Sequence, residues 1–83
     1  MRVDVNFGRN QVDIEVTQFT GYEEFLESLG FRYEAEEKAY IKRSIPYSEY
    51  HKIFETLIKK RETSPDIIIL VENEDRPGEV FIY

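Results

Sequence analysis

An α+β two-layer sandwich, ordered ββαββαββ with two helices on one face of a mostly antiparallel sheet, is predicted by three observations. Arg2 to Phe7 and Val12 to Val16 each alternate apolar and polar residues around Gly8-Arg9-Asn10-Gln11. Tyr22 to Leu29 and Ser44 to Glu62 repeat apolar residues at helical spacing. Ile67-Ile68-Ile69-Leu70-Val71 is an unbroken apolar run rich in β-branched residues, bounded by turn chemistry.

Each element follows from its residues. Placing Phe7 opposite Val12 aligns Val5 with Ile14 and Val3 with Val16, which gives a hairpin with one buried face and a four-residue turn. Thr20-Gly21-Tyr22-Glu23 has the capping-box pattern, and Tyr22, Phe25, Leu26 and Leu29 then form a stripe that Gly30 ends. In the second hairpin a three-residue loop, Ala35-Glu36-Glu37, pairs Tyr33 with Ala39, Arg32 with Tyr40 and Phe31 with Ile41. That register gathers Phe31, Tyr33, Ala39 and Ile41 inside and leaves Arg32, Tyr40 and Lys42 together outside. The long helix over 44–62 tolerates Pro46 in its first turn and carries Tyr47, Tyr50, Ile53, Phe54, Leu57 and Ile58 on one face. Lys59, Lys60 and Arg61 suit its carboxyl-terminal dipole, and Thr63-Ser64-Pro65 stops it. The run 67–71 reads as a strand covered on both faces or flanked on both edges, and Val80 to Tyr83 as a closing strand. From the second strand onward the order is also βαββαβ, so a ferredoxin-like arrangement is the alternative, with the first hairpin competing for one of its edges.

Eighty-three residues suffice for one domain, 1–83, with one core near the lower limit for unaided folding. The absence of cysteine removes disulfides, thiolate metal sites and thiol catalysis, and points to a cytoplasmic setting. No apolar run is long enough for a membrane span, and Met1-Arg2-Val3-Asp4 lacks the basic-then-apolar order of a secretory signal. The net charge of −6 opposes binding to a polyanion, but it is unevenly spread. Residues 1–31 sum to −4, 32–61 to +3 and 62–83 to −5. Positive charge therefore concentrates in the second hairpin and the second helix.

Catalytic chemistry finds little support. There is no Gly-x-x-x-x-Gly-Lys-Ser/Thr phosphate cradle, so ATP hydrolysis is not expected of this chain. His51 is the single histidine and has no acid partner at a defined spacing. Glu34, Glu36 and Glu37, and again Glu72, Glu74 and Asp75, fall at hairpin turns without calcium-loop spacing. No metal or cofactor is implied, and the chain reads as non-enzymatic. The candidate site is Arg32, Lys38, Tyr40, Lys42 and Arg43, where a ring could stack on an exposed base while cations meet phosphates. On a plain sheet the same Tyr40 would cover the stem of Arg32.

Met1 to Phe7, Val12 to Val16, and Leu29-Gly30-Phe31-Arg32-Tyr33 through Lys38-Ala39-Tyr40-Ile41-Lys42 resemble the N-terminal accessory domain of XPB- and UvsW-type superfamily 2 helicases, over roughly residues 1–61. The resemblance implies a small α/β domain that engages duplex, damaged or branched DNA beside helicase motor domains in repair or remodelling. Only the hairpin residues Arg32, Tyr40, Lys42 and Arg43 have matching context. The chain departs from the phage-like members in lacking tryptophan, and with it their Trp-Asp-Gly motif. Two functions are thus expected from the sequence: a DNA-recognition module, or a small viral or regulatory protein-interaction module that pairs through the exposed edge of Val80 to Tyr83. The composition, 34% charged with three asparagines and two glutamines, is of the kind found in proteins from hot environments. A melting temperature above about 60 °C by circular dichroism is the expected outcome, and a lower one would remove the thermophile reading.

Overall fold

In the computed structural model, which describes residues 1–83, β1 (Arg2–Phe7) and β2 (Val12–Thr17) pair antiparallel in the register that their alternation requires. Phe7 lies opposite Val12, Val5 opposite Ile14 and Val3 opposite Val16. Val3, Val5, Val12, Ile14 and Val16 are all buried. The Gly8 amide donates to the Gln11 carbonyl at 2.8 Å and closes the turn.

The first helix, α1 (Glu23–Ser28), is shorter than its stripe and is capped differently from the expected box. Gly21 takes a φ of +91°, which breaks the spacing between Thr20 and Glu23 and puts Tyr22 at the N-cap with no side-chain cap bond. Glu23 still reaches back, accepting the Gly21 amide at 2.7 Å. The other end follows expectation. Gly30 at φ +90° lets the Phe31 amide reach the Leu26 carbonyl (3.1 Å) and the Gly30 amide reach that of Glu27 (3.0 Å). Leu26 and Phe31, both buried, supply the apolar contact that accompanies such a stop.

After β3 (Arg32–Glu34) and β4 (Ala39–Ile45), the long helix α2 spans Tyr47–Thr63. Ser44 and Ile45 thus belong to a strand and not to the helix. The reason is local, since a residue preceding proline is driven out of the helical region, and Pro46 itself is extended at ψ 147°. Tyr50, Ile53 and Leu57 are buried against the sheet, with Phe54 and Ile58 half-buried beside them. β5 (Ile68–Asn73) and β6 (Val80–Ile82) complete the chain.

The six strands form one sheet in the order β3-β4-β2-β1-β5-β6. All neighbours are antiparallel except β1 and β5, whose parallel register sets Val3 beside Ile69 and Val5 beside Val71. The ferredoxin-like alternative is not adopted, because β1 separates β2 from β5. Of the two settings expected for the 67–71 run, β5 has flanking strands on both edges. Ile67, Ile69 and Val71 are buried while Ile68 is 49% exposed, so only one of its faces is covered. The result is two layers, with α1 and α2 over one face and the other open.

Two polar ties close the layers. The Tyr22 hydroxyl donates to Asp66 at 2.8 Å, and the Met1 ammonium lies 3.6 Å from the same carboxylate. The Tyr22 bond first, and the ammonium after it, hold the Asp66 carboxyl below its ordinary range. At the end of α1, a Cβ on Gly30 would lie 2.7 Å from Lys42 Nζ, which pairs with Glu49 at 3.3 Å. Gly30→Ala should therefore cost about 1–2 kcal/mol through its left-handed backbone, with the flexible Lys42 moving aside. Urea unfolding reads this directly, and an unchanged midpoint would mean that the chain ends α1 by another route.

Candidate interaction surfaces

The β3–β4 hairpin pairs Arg32 with Ile41, Tyr33 with Tyr40 and Glu34 with Ala39. This is one residue out of the expected register. The loop has four residues, 35–38, with Lys38 left-handed at φ +53°, and the slip turns the side chains of β4 over. Tyr40 is consequently inside, only 6% exposed. Its ring lies 4.9 Å from Phe19 and 5.5 Å from Tyr33, and its hydroxyl donates to Glu27 at 3.0 Å. Burial, with the Glu27 carboxylate adding to it, pushes the Tyr40 phenol above its usual value.

The physical reason is the aromatic trio. Pairing Tyr33 with Tyr40 lets both rings meet Phe19 on the helix-covered face, and the phenol reaches Glu27 at the rim, so the buried ring leaves no polar atom unpaired. Ala39 and Ile41, expected inside with Tyr33, take the other face. Ile41 is buried there among Glu15, Glu37 and Arg43.

A bulge then restores the alternation. Val12 pairs with Ile45 but Ile14 pairs with Lys42, which gives β4 one extra residue across from Asp13. Ser44 adopts φ +57° and donates its amide to Asp13 Oδ1 at 2.8 Å. Ile45 thereby returns to the buried face.

The surface expected from Arg32, Tyr40 and Lys42 is not formed. Tyr40 is in the core and Lys42 turns toward the helices to meet Glu49. Arg32 is exposed on the open face, and Lys38 is exposed at the hairpin turn. Arg43 bonds Glu34, whose carboxylate raises its guanidinium pKa against the opposing effect of burial. The five residues are distributed over two faces and a turn, and two of the four cations are already paired. His51 is exposed on α2, and neither acidic turn arranges three ligands around a common metal position.

The open face has a different character. Asp4 stands directly opposite Glu15, and Asn6 opposite Asp13 on one side and Glu72 on the other. Like charges face one another there, with Asp4 tied to Arg2 at 3.1 Å. At one margin, β6 presents Val80, Phe81, Ile82 and Tyr83, which are 49%, 58%, 74% and 49% exposed. Leu70 lies beside Ile82 and Glu72 beside Val80. Tyr83 exchanges both backbone bonds with Ile69, so by antiparallel alternation the amides and carbonyls of Val80 and Ile82 point away from β5. The other margin, β3, sets charged Arg32 and Glu34 at its edge.

The apolar edge was legible from residues 80–83. The acidic ground beside it was visible only as the −4 balance of 1–31 and the −5 balance of 62–83, because its members become neighbours through strand order. Comparison with protein-family models, curated proteins and solved structures finds no match. No helix is long and apolar enough to cross a membrane.

Behind β6, Tyr50 packs 4.9 Å from Phe7 and 5.5 Å from Phe54, and burial pushes its phenol up to about 12, with Tyr83 adding to the effect. The folded chain thus holds protons on Tyr40 and Tyr50 that an unfolded chain releases near the ordinary value of 10.0. The contribution of these two tyrosines to stability should be level below pH 10 and fall as pH rises from there through about 12. Thermal melts across that window should show the decline, and Tyr50→Phe should make it shallower. An identical slope in the variant would show that Tyr50 ionises freely in the fold.

Proposed function

We propose that this chain is a protein-interaction module that takes an extended partner segment along the free edge of β6. One observation carries the reading: four consecutive apolar side chains, each at least 49% exposed, stand at a sheet edge whose outward amides and carbonyls have no strand beside them. Such an edge lacks the charges, prolines or bulges that keep edges unpaired. A partner strand would gain main-chain bonds at Val80 and Ile82 and apolar contact with Ile82, which stands beside Leu70. Phe81 and Tyr83 would be covered on the helix side, where Tyr83 already meets Phe54 at 5.4 Å.

The DNA-module reading, with its helicase partners, draws on Arg32 and Lys38, exposed and in no ion pair. The ring expected to stack on a base, Tyr40, is buried, and Asp4, Asp13 and Glu15 occupy the sheet face that Arg32 shares. The two readings separate in one pair of titrations. Nitrogen-edited NMR with three extended octapeptides, one neutral, one cationic and one acidic, should move the Val80 and Ile82 amides, and Ile82→Pro should abolish the response because it removes an outward amide and no bond to β5. Fluorescence anisotropy with single-stranded, duplex and forked DNA at about 50 and about 200 mM salt should show no salt-dependent binding. Silence at β6 together with DNA binding lost on Arg32→Ala/Lys38→Ala would overturn the proposal in favour of the nucleic-acid reading.

A further inference from the structure

Resting on that reading, we infer the chemistry of the β6 partner: a segment of another protein whose residue beside Ile82 is apolar and whose residues beside Val80 and Glu79 are lysine or arginine. The inference comes from what a seventh strand would face. Beside Ile82 on the open face, the added side chain would continue the row that runs from Leu70 to Ile82, both apolar. Two positions along, beside Val80, the row changes character, because Val80 is paired with Glu72. Strands lie about 4.8 Å apart, so that position is about 10 Å from the Glu72 strand, within reach of a long cationic side chain meeting a carboxylate. The next position outward meets Glu79, and the turn behind it carries Glu74 and Asp75. Arg76, 3.7 Å from Glu79, is the one cation in the 62–83 segment, and it leaves four carboxylates at this end of β6 against a single positive charge.

The helix-side positions add a second constraint. The partner residue between the two open-face positions would lie beside Phe81, 58% exposed, and favours an apolar or aromatic side chain. Read along β6 from Ile82 to Glu79, the segment that fits is apolar, apolar, basic, basic.

A second copy of this chain fits less well. Each copy carries −6 overall, and its own edge sequence, Glu79-Val80-Phe81-Ile82-Tyr83, holds no cation to offer the acidic turn. Like charges brought together at an interface disfavour that partner, while a basic segment is drawn to it.

The test uses the full chain and three octapeptides with central runs of valine-tyrosine-arginine-lysine, valine-tyrosine-threonine-serine and valine-tyrosine-glutamate-aspartate, each also in reverse order. By NMR titration at about 50 mM salt the cationic peptide should bind about tenfold more tightly than the acidic one, and about 200 mM salt should narrow the gap. Glu72→Gln/Glu79→Gln should reduce the preference to within about threefold while the neutral peptide's affinity holds. Equal affinity for all three peptides would overturn the charge assignment and leave strand pairing at β6 standing. Sedimentation that rises with concentration, and is abolished by Ile82→Pro, would overturn it in favour of a second copy. Binding by none of the peptides, with a monomer throughout, would remove this inference and the reading beneath it together.

Discussion

The pairing of β4 against β2, with its extra residue held by Asp13, decides which side chains the rest of the molecule can offer. Ahead of the bulge, Tyr40 and Lys42 face the helices; beyond it, Ile45 does. A regular strand would have sent Ile45 to the open face and Ser44 into the core. One carboxylate oxygen accepting the Ser44 amide makes the left-handed residue tolerable and puts Ile45, in place of Ser44, on the core face. The chain then enters Pro46 extended and aimed to start α2 over the sheet.

That arrangement also explains where the cations went. Lys42 faces the helix layer and remains 22% exposed at its side chain, placed to meet Glu49 in the first turn of α2. Arg43, at the bulge, leans to Glu34 on β3. Both pairs are partly solvated and contribute little to stability, but they occupy the charges that a phosphate would need. The positive middle third of the sequence is therefore satisfied largely by its own acids.

The first hairpin was legible to the residue, because Val3, Val5, Val12, Ile14 and Val16 admit one register that buries them all. The helix stop at Gly30 was equally plain. The second hairpin was not, since residues 39–41 are all buried and apolar periodicity gives no sign of which face each one takes. What settles that register is Phe19, distant in sequence and brought beside Tyr33 and Tyr40 by the fold. The start of α2 was misread for a different reason: Pro46 suits a first turn, yet its hold on the preceding residue was the stronger effect. Strand order was beyond pattern reading, because the parallel pairing of β1 with β5 joins segments at opposite ends of the chain.

Strand order also creates the asymmetry between the two margins of the sheet. β3 follows directly from the Gly30 stop and carries Arg32 and Glu34 on the open face, charges that discourage another strand from docking. β6 follows an acidic turn and carries only apolar side chains. Because β1 is inserted between β2 and β5, the Asp4–Glu15 pair lies mid-sheet, and β5 bridges from those acids to the apolar edge through Leu70 and Glu72. Arg2 bridges Asp4 in mid-sheet, whereas Glu72, beside the apolar edge, is in no ion pair. The same mixed β5 strand that joins the two ends of the chain thus sets an apolar edge next to the Glu72 carboxylate, and it is this adjacency, absent at β3, that distinguishes the two margins of the sheet and supports the proposed strand pairing at β6.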